Sequence, residues 1–243
     1  IEVGYYSTAT KLYGILIALF SAFTAVMLPR MSALVSAKNN HEIKRLTDLS
    51  FEILVIFCLP VIIIAEFYAP QIVLLLTGPG YEGAITPMRI LIPLLLIIGI
   101  EQILIIQILM PLKKDKEVLI NSSTGAIVSI VLNIMLVKSY GSIGSSFVWV
   151  LSELAITITA VYFVTKSKLV VVNSKLLFKH FVASTPYIVI CLLVWNIYSG
   201  MLQMFMLVTL SLMYFCWYHL LVNKTIIIVS LYKDVRSLFL RKL

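Results

Sequence analysis

Long apolar stretches alternate with short polar connections along the whole chain. A helix needs about 20 mostly apolar residues to cross the hydrocarbon core of a membrane. A transmembrane β-barrel would instead require alternating segments of about ten residues, and none occur. The fold class predicted is an all-α, polytopic transmembrane helix bundle. Its seven predicted spans cover about residues 12–33, 47–69, 86–110, 118–138, 142–164, 181–199 and 203–222.

Positive charge falls on every second connection between these spans. The connections after spans one, three, five and seven, together with Arg30, hold 16 of the 19 Lys and Arg residues. The other side keeps only Lys11, Arg89 and Lys138. Because short loops rich in Lys and Arg stay in the cytoplasm, we expect the N-terminus outside and the C-terminus in the cytoplasm.

Composition agrees with a membrane protein and excludes several kinds of site. Hydrophobic residues make up 61% of the chain, charged residues 12%, and the mean hydropathy is +1.05. The net charge of +8 is spread over the basic loops, which favours anionic lipid over nucleic acid as its partner. Cys58, Cys191 and Cys216 stand singly in apolar stretches. Neither disulfides, metal sites nor cofactors are therefore expected.

Carboxyl and amide side chains inside the predicted spans are the strongest site candidates. Glu101, next to Gln102, falls near the middle of span three, and Glu153 at the centre of span five. A carboxylate at this depth raises the free energy of membrane insertion by about 2.5–3.5 kcal/mol, so it is expected to have an interaction partner or a functional role. Each could carry protons in coupled transport, or could simply be hydrogen-bonded to a neighbouring helix. Asn133 lies on a small and polar face of span four.

Charged residues near the ends of the spans suggest a path and its mouths. Lys11 shares one helix face with a stripe of small residues (Ser7, Gly14, Ala18, Ser21 and Ala25), and such stripes are usually packing surfaces. Lys11 is expected to face protein or a cavity. Glu66 and Arg89 lie at the outer ends of adjacent spans, where an ion pair or a gate is expected. Prolines are expected to bend spans two, three and six: Pro60, Pro87, Pro93 and Pro186.

Local motifs resemble the second half of bacterial polysaccharide flippases. The run Val3–Leu12 (VGYYSTATKL), the run Met27–Ser32 (MLPRMS) and the glycine-containing segment 78–84 carry the resemblance, which covers roughly residues 3–165. The family comprises the Wzx-type exporters of the multidrug/oligosaccharidyl-lipid/polysaccharide superfamily. The chain does not begin with Met, and we interpret it as the later part of a longer protein.

The resemblance implies a transporter in two bundles around a central cavity. Such proteins move undecaprenyl-pyrophosphate-linked oligosaccharides across the bacterial inner membrane by alternating access. Lys11 would contact pyrophosphate or sugar, and Arg30 would lie at the cytoplasmic mouth, where orientation and anionic lipid explain it nearly as well. Coupling to H⁺ or Na⁺ through Glu101 or Glu153 is a further expectation.

The implied organisation has four regions. They are a second-half bundle at 1–165, an interfacial connection at 166–180, two peripheral spans at 181–222 and a basic amphipathic tail at 223–243. The expected partners are lipid-linked oligosaccharide, membrane lipids and other polysaccharide assembly proteins.

Two other functions fit the same hydropathy pattern. A polysaccharide polymerase or ligase would need a large outside loop with Arg or His, and the longest outside loop, about 70–85, has no basic residue. A drug or cation exporter of the same superfamily differs mainly in the local motifs, which favour the glycan branch. An enzyme is therefore not expected.

Overall fold

The computed structural model describes residues 2–167, 174–197 and 201–218, where every regular element is helical. The predicted all-α bundle is confirmed for these residues. Two π-helical segments, π1 and π2, interrupt the α-helices, and a 3₁₀ turn precedes α3. In chain order the elements are α1 (Glu2–Ser36), α2 (Asn40–Thr77), the 3₁₀ turn (Glu82–Ala84), α3 (Ile85–Leu91), α4 (Leu94–Gln102), π1 (Ile103–Leu109), α5 (Asp115–Leu132), π2 (Asn133–Val137), α6 (Lys138–Ser167), α7 (Ser174–Ala183), α8 (Thr185–Ile197) and α9 (Met201–Cys216).

Five stretches of the described residues are long and apolar enough to cross a membrane: Glu2–Ser36, Asn40–Thr77, Glu82–Leu109, Asp115–Ser167 and Phe178–Trp195. The fourth has 53 residues and reverses at Gly141, whose backbone is non-helical. Since α5 packs along α6 beyond this turn, the stretch supplies two antiparallel helices, as predicted for spans four and five. The last predicted span corresponds to the shorter α9, and the tail at 223–243 lies outside the described residues.

The helices of residues 2–167 run alternately up and down. We call the end that holds the turns at Gly78–Tyr81 and Gly141 the glycine end, and the opposite end, with the turns at 37–39 and 110–114, the basic end. Two contacts join the glycine end: the rings of Tyr5 and Tyr81 lie 6.2 Å apart, and the Ser142 amide donates to the Glu2 carboxylate over 3.0 Å. The basic loops Lys38–Arg45 and Lys113–Lys116 therefore lie at the opposite end from the Gly78–Gly83 segment.

The core lies between α1, α2, the α3–α4–π1 segment and α6. On α1 the buried residues recur every three, four or seven positions, as on one face of a helix: Ala9, Tyr13, Phe20, Thr24, Met27 and Met31. Fully buried Leu54, Leu91, Leu95 and Leu104 face them. By contrast, α5 and π2 expose large apolar side chains, including Ile127, Ile130 and Ile134, as expected of a helix that faces lipid.

Proline interrupts these helices at only some of the predicted positions. Helices α3 and α4 are separate elements with Ile92 and Pro93 between them, because proline lacks the amide hydrogen that would continue the helix. The kink in α2 occurs at Tyr68 (φ −104°, ψ 19°), two residues before Pro70. The prediction of a bend at Pro60 was therefore wrong. Pro186 lies in the first turn of α8, where a missing amide hydrogen costs nothing.

The chain divides into two compact units, residues 1–185 and 186–243. The described part of the second unit holds most of α8 and all of α9. Within it, the rings of Tyr187 and Tyr214 meet edge to face at 5.0 Å, and the Gln203 amide donates to the Val194 carbonyl over 3.3 Å. These contacts hold its two apolar helices as a hairpin.

Candidate functional site

Glu101 and Glu153 meet inside the first unit. Helix α4 supplies Glu101 and α6 supplies Glu153, and the two side chains are in hydrogen-bonding contact. An ionised carboxylate only accepts hydrogen bonds, so a bond between two carboxyl groups requires a proton on one of them. The pair therefore brings two carboxyl groups together between α4 and α6, in segments whose other side chains are mostly apolar.

Two aromatic residues surround this carboxyl pair. The Trp149 indole Nε1 donates to Glu153 Oε1 over 3.0 Å, one helical turn away on α6. The ring of Tyr13, on α1 and 3% exposed, meets the Trp149 ring edge to face with centroids 5.0 Å apart. The Trp149 hydrogen bond satisfies one oxygen of Glu153 and orients its carboxyl group.

A polar cavity of about 500 Å³ opens beside Glu153, between α1, α5 and α6. Asn133 and Ser129 line it from the α5 side, and Trp149, Ser152 and Glu153 from α6. Asn133 is exposed, and its amide nitrogen donates to the Ser129 carbonyl over 2.8 Å. Two of the predicted site residues, Asn133 and Glu153, therefore line the same cavity, and Glu101 joins them through its contact with Glu153.

Gln102 is held in contacts between helices. Its amide nitrogen donates to Ser21 Oγ over 2.8 Å, and its oxygen accepts from Thr24 Oγ1 over 3.0 Å. Both partners belong to α1, so the side chain ties α4 to α1. Hydrogen bonds of this kind join helices where no water competes. This geometry makes Gln102 a structural link between helices, although its neighbour Glu101 belongs to the carboxyl pair.

Lys11 and Arg30 both lie on α1 but are not part of the polar cavity. Lys11 is exposed and makes no hydrogen bond or ion pair with any residue that the structure describes. Arg30 is also exposed, at the basic end, close enough to Glu42 to interact with it electrostatically. The two cations are 19 residues apart, or about 28 Å along the helix axis. That separation is close to the thickness of the hydrocarbon core.

Arg89 and Glu66 are neighbours at the glycine end, as the sequence predicted, but their contact differs from the expected one. The Arg89 Nε donates to the backbone carbonyl of Glu66 over 3.2 Å. Their side chains do not form an ion pair within 4.0 Å. The contact joins α3 to α2 through the main-chain carbonyl of Glu66. The sequence had predicted an ion pair between the two side chains instead.

An interaction between Glu52 and His180 was not predicted from the sequence. Nε2 of His180, whose side chain is 2% exposed, lies 3.1 Å from Glu52 Oε1. The contact attaches the short helix α7 to α2. Glu52 stands in the second apolar segment, so the signal that singled out Glu101 was available for it. His180 is 128 positions away in sequence, and nothing in the pattern predicted that the two would meet.

Metal binding finds no support in the described ranges 2–167, 174–197 and 201–218. No group of three or more His, Cys, Asp or Glu residues there is placed to hold a metal ion. Cys58 is a buried free thiol, and Cys191 is also buried. The polar groups at the site are thus carboxyl, amide, hydroxyl and indole groups.

Comparisons with known proteins bear on the family and the fold of the chain. A family model described as "Polysaccharide biosynthesis protein" matches residues 1–86. That range contains the Val3–Leu12 and Met27–Ser32 motifs, and the resemblance predicted from them is confirmed there. No curated protein matches the chain.

The fold is similar to that of a solved structure described as "Lipid II flippase MurJ, inward closed conformation". The TM-score is 0.72 at 13% sequence identity, over 90% of this chain and 47% of that chain. This chain therefore spans about half the length of the structure it matches. The likeness shows the fold. Because five stretches of the described residues are long and apolar enough to cross a membrane, the protein is a multi-pass membrane protein.

Proposed function

We propose that the chain is part of a flippase in the bacterial inner membrane. Its substrate would be an undecaprenyl-pyrophosphate-linked polysaccharide repeat unit, of O-antigen or capsule, moved between leaflets by alternating access. The match to a polysaccharide biosynthesis family and the flippase fold support this class of function. Other polysaccharide assembly proteins would supply and receive the lipid-linked substrate.

The observation that carries the proposal is the state of Lys11. It is an exposed cation at the border of a predicted span, with no counter-ion among the described residues. An unpaired charge near lipid is costly and usually has a task. A pyrophosphate group would supply the missing negative charge. Lys11 also lies in the range matched by the polysaccharide family.

The polar cavity supports a role in handling sugars or ions. Its hydroxyl, amide, indole and carboxyl groups can exchange hydrogen bonds with sugar hydroxyls, which would otherwise lose their water on entering the membrane. We further propose that the Glu101–Glu153 pair couples transport to H⁺ or Na⁺. Loss of the shared proton would leave two adjacent negative charges. Their repulsion would favour a different arrangement of α4 and α6.

Replacement of Lys11 in the full-length protein tests the proposed function. We expect Lys11→Ala to reduce the display of the glycan at the cell surface by roughly tenfold or more, since a hydrogen bond to a charged group contributes about 1.5–3 kcal/mol. Lys11→Arg keeps the charge and should retain much of the display. Lys138→Ala, at the same end of the bundle, is the matched control and should behave as wild type.

Protein abundance in the membrane must be equal in all three variants. Wild-type display by Lys11→Ala would contradict the proposed contact with pyrophosphate. Equal loss in Lys11→Ala and Lys138→Ala would show a general effect of charge, which also contradicts it.

A further inference from the structure

An apolar cleft of about 290 Å³ lies between α2, α4 and α7, on residues that take no part in the polar site. Phe51, Val55 and Leu59 form its α2 wall, and Leu96 and Ile100 form its α4 wall. Phe51, Val55 and Leu59 are each at most 7% exposed. The walls are therefore packed parts of the bundle core, with no polar side chain among them.

Helix α7 forms the lip of the cleft with two phenylalanines. Phe178 and Phe181 line the cleft, yet they are 69% and 61% exposed. His180 lies between Phe178 and Phe181 in the sequence. Its contact with Glu52, at 3.1 Å, holds α7 beside α2. Large aromatic surfaces left open over an apolar cleft indicate that an apolar chain completes the packing.

A cation lies above the cleft on the face of α2 that lines it. Lys44 precedes Phe51 by seven residues, which puts it on the same helix face, about 10 Å nearer the basic end. Lys44 is exposed and forms no hydrogen bond or ion pair with another described residue. Of the two carboxylates nearby on α2, Glu52 lies 3.1 Å from His180 and Asp48 has a contact of its own. Lys179, next to Phe178, is a second exposed cation.

We propose that this cleft binds one acyl chain of an anionic phospholipid, with the lipid phosphate beside Lys44. The spacing of about 10 Å between Lys44 and Phe51 along α2 suits a lipid whose headgroup lies at the membrane surface. Basic pockets between transmembrane helices on the cytoplasmic side are typical sites for anionic headgroups. The bound chain would fill the space between α2 and α7 and stabilise the attachment of α7.

The site is independent of the proposed transport function, because it shares no residue with Lys11 or the carboxyl pair. A lipid there would act on stability and on the position of α7. A zwitterionic phospholipid offers the same chain but no net charge to Lys44. A polyprenyl phosphate offers the charge but a branched and more rigid chain.

Headgroup-selective stabilisation of the purified full-length protein tests the proposal. Thermal stability in detergent would be measured with added phosphatidylglycerol, phosphatidylcholine or polyprenyl phosphate. For the wild type we expect a clearly larger rise of Tm with phosphatidylglycerol than with the other two. Lys44→Ala should weaken the apparent affinity for phosphatidylglycerol about fivefold, as expected for one cation near the surface. Its response to phosphatidylcholine should not change.

A second variant tests the cleft itself. Ile100→Trp would fill the space and should abolish the selective rise of Tm. Ile158→Trp, at an exposed position of α6, is the matched control and should retain it. Equal stabilisation by phosphatidylcholine, stronger stabilisation by polyprenyl phosphate, or a normal lipid response in Ile100→Trp would each overturn the proposal. If Ile100→Trp does not fold, the response of Lys44→Ala decides, and wild-type affinity there would also overturn it.

Discussion

Glu101 and Glu153 show how two isolated polar residues form a site when separate helices bring them together. Each alone would be a costly charge in an apolar segment. Together they share a hydrogen bond, and Trp149 donates a second one to Glu153. This arrangement satisfies both groups while one proton remains bound. In the coupling proposed above, their interaction would depend on that proton.

Substitution of either carboxyl group by an amide tests the coupling. Glu101→Gln and Glu153→Gln, made separately in the full-length protein, can keep a hydrogen bond within the pair but cannot exchange its proton. We expect glycan display by each variant to lose most of its dependence on external pH. The measurement is surface display at several pH values. Glu117→Gln, which alters a carboxylate bound to Lys114 at the basic end, should keep the wild-type response.

Two outcomes would count against the coupling. Unchanged export in both glutamine variants at every pH would remove the pair from the transport cycle. Equal loss in Glu117→Gln would show that any lost carboxyl group disturbs the protein. The Lys11 result does not depend on either outcome, since Lys11 makes no contact with the pair.

At the level of single residues, sequence reasoning found the carboxyl groups but not their relation. Hydropathy identifies Glu101 and Glu153 because a carboxyl group in an apolar segment is conspicuous. Their contact depends on how α4 and α6 pack, and a pattern along one chain does not give that packing. The same reason explains the missed Glu52–His180 contact. Gln102 was predicted to be a site residue because it is next to Glu101 in the sequence. In the structure its hydrogen bonds to Ser21 and Thr24 join α4 to α1.

The connection between α5 and α6 is the element that most depends on one residue. Gly141 has φ 53° and ψ −125°, a conformation that residues with a Cβ rarely adopt. A Cβ at this position would also lie 2.7 Å from the Glu2 carboxylate. That carboxylate accepts hydrogen bonds from the Ser142 amide and hydroxyl. The turn therefore fixes α6 to the start of α1 at the glycine end.

Gly141→Ala is expected to destabilise the protein by about 1–3 kcal/mol, the usual cost of a strained backbone position. The measurement is the Tm of the full-length protein in detergent. Gly14→Ala is the matched control: no atom lies within 4 Å of its added Cβ, and α1 is helical there. The control should be neutral or more stable by up to about 1 kcal/mol. A Tm for Gly141→Ala equal to that of wild type would contradict the strain argument.

Among the elements, the number and order of helices could be predicted better than their shapes. The glycine-containing connections at Gly78–Gly83 and Gly141 were predicted as turns and are turns. Prolines predicted the positions of helix bends less well. Pro93 separates two helices, whereas Pro60 lies inside regular helix, and the kink in α2 falls at Tyr68, two residues before Pro70. The π-helical segments at Ile103–Leu109 and Asn133–Val137 were also unpredictable, because they depend on neighbouring helices.

The whole first unit is a bundle with two different ends. Its basic turns lie at one end and its glycine turns at the other, an arrangement that hydropathy and charge predicted together. The polar site, the Arg89–Glu66 contact and the apolar cleft occupy different parts of this bundle. Hydropathy could not predict either cavity, since a cavity is what remains between helices after they pack.

The orientation of the whole bundle in the membrane can be measured with single cysteines. The native cysteines would first be replaced in the full-length protein. Cysteines at Glu82 and Ser139, exposed near the glycine end, should react with a membrane-impermeant thiol reagent in intact cells. Cysteines at Asn40 and Asp115, exposed at the basic end, should react only after permeabilisation, because loops rich in Lys and Arg stay in the cytoplasm.

The four positions also separate errors of fold from errors of orientation. If Glu82 and Asp115 react from the same side, the up-and-down order of the helices is wrong, and the polar cavity loses its basis. If all four reverse sides, the bundle stands but the positive charge faces outward. Lys11 would then lie at the cytoplasmic border, where it would meet the pyrophosphate of an entering substrate. The alternation of charge along the sequence makes the unreversed pattern the expected result.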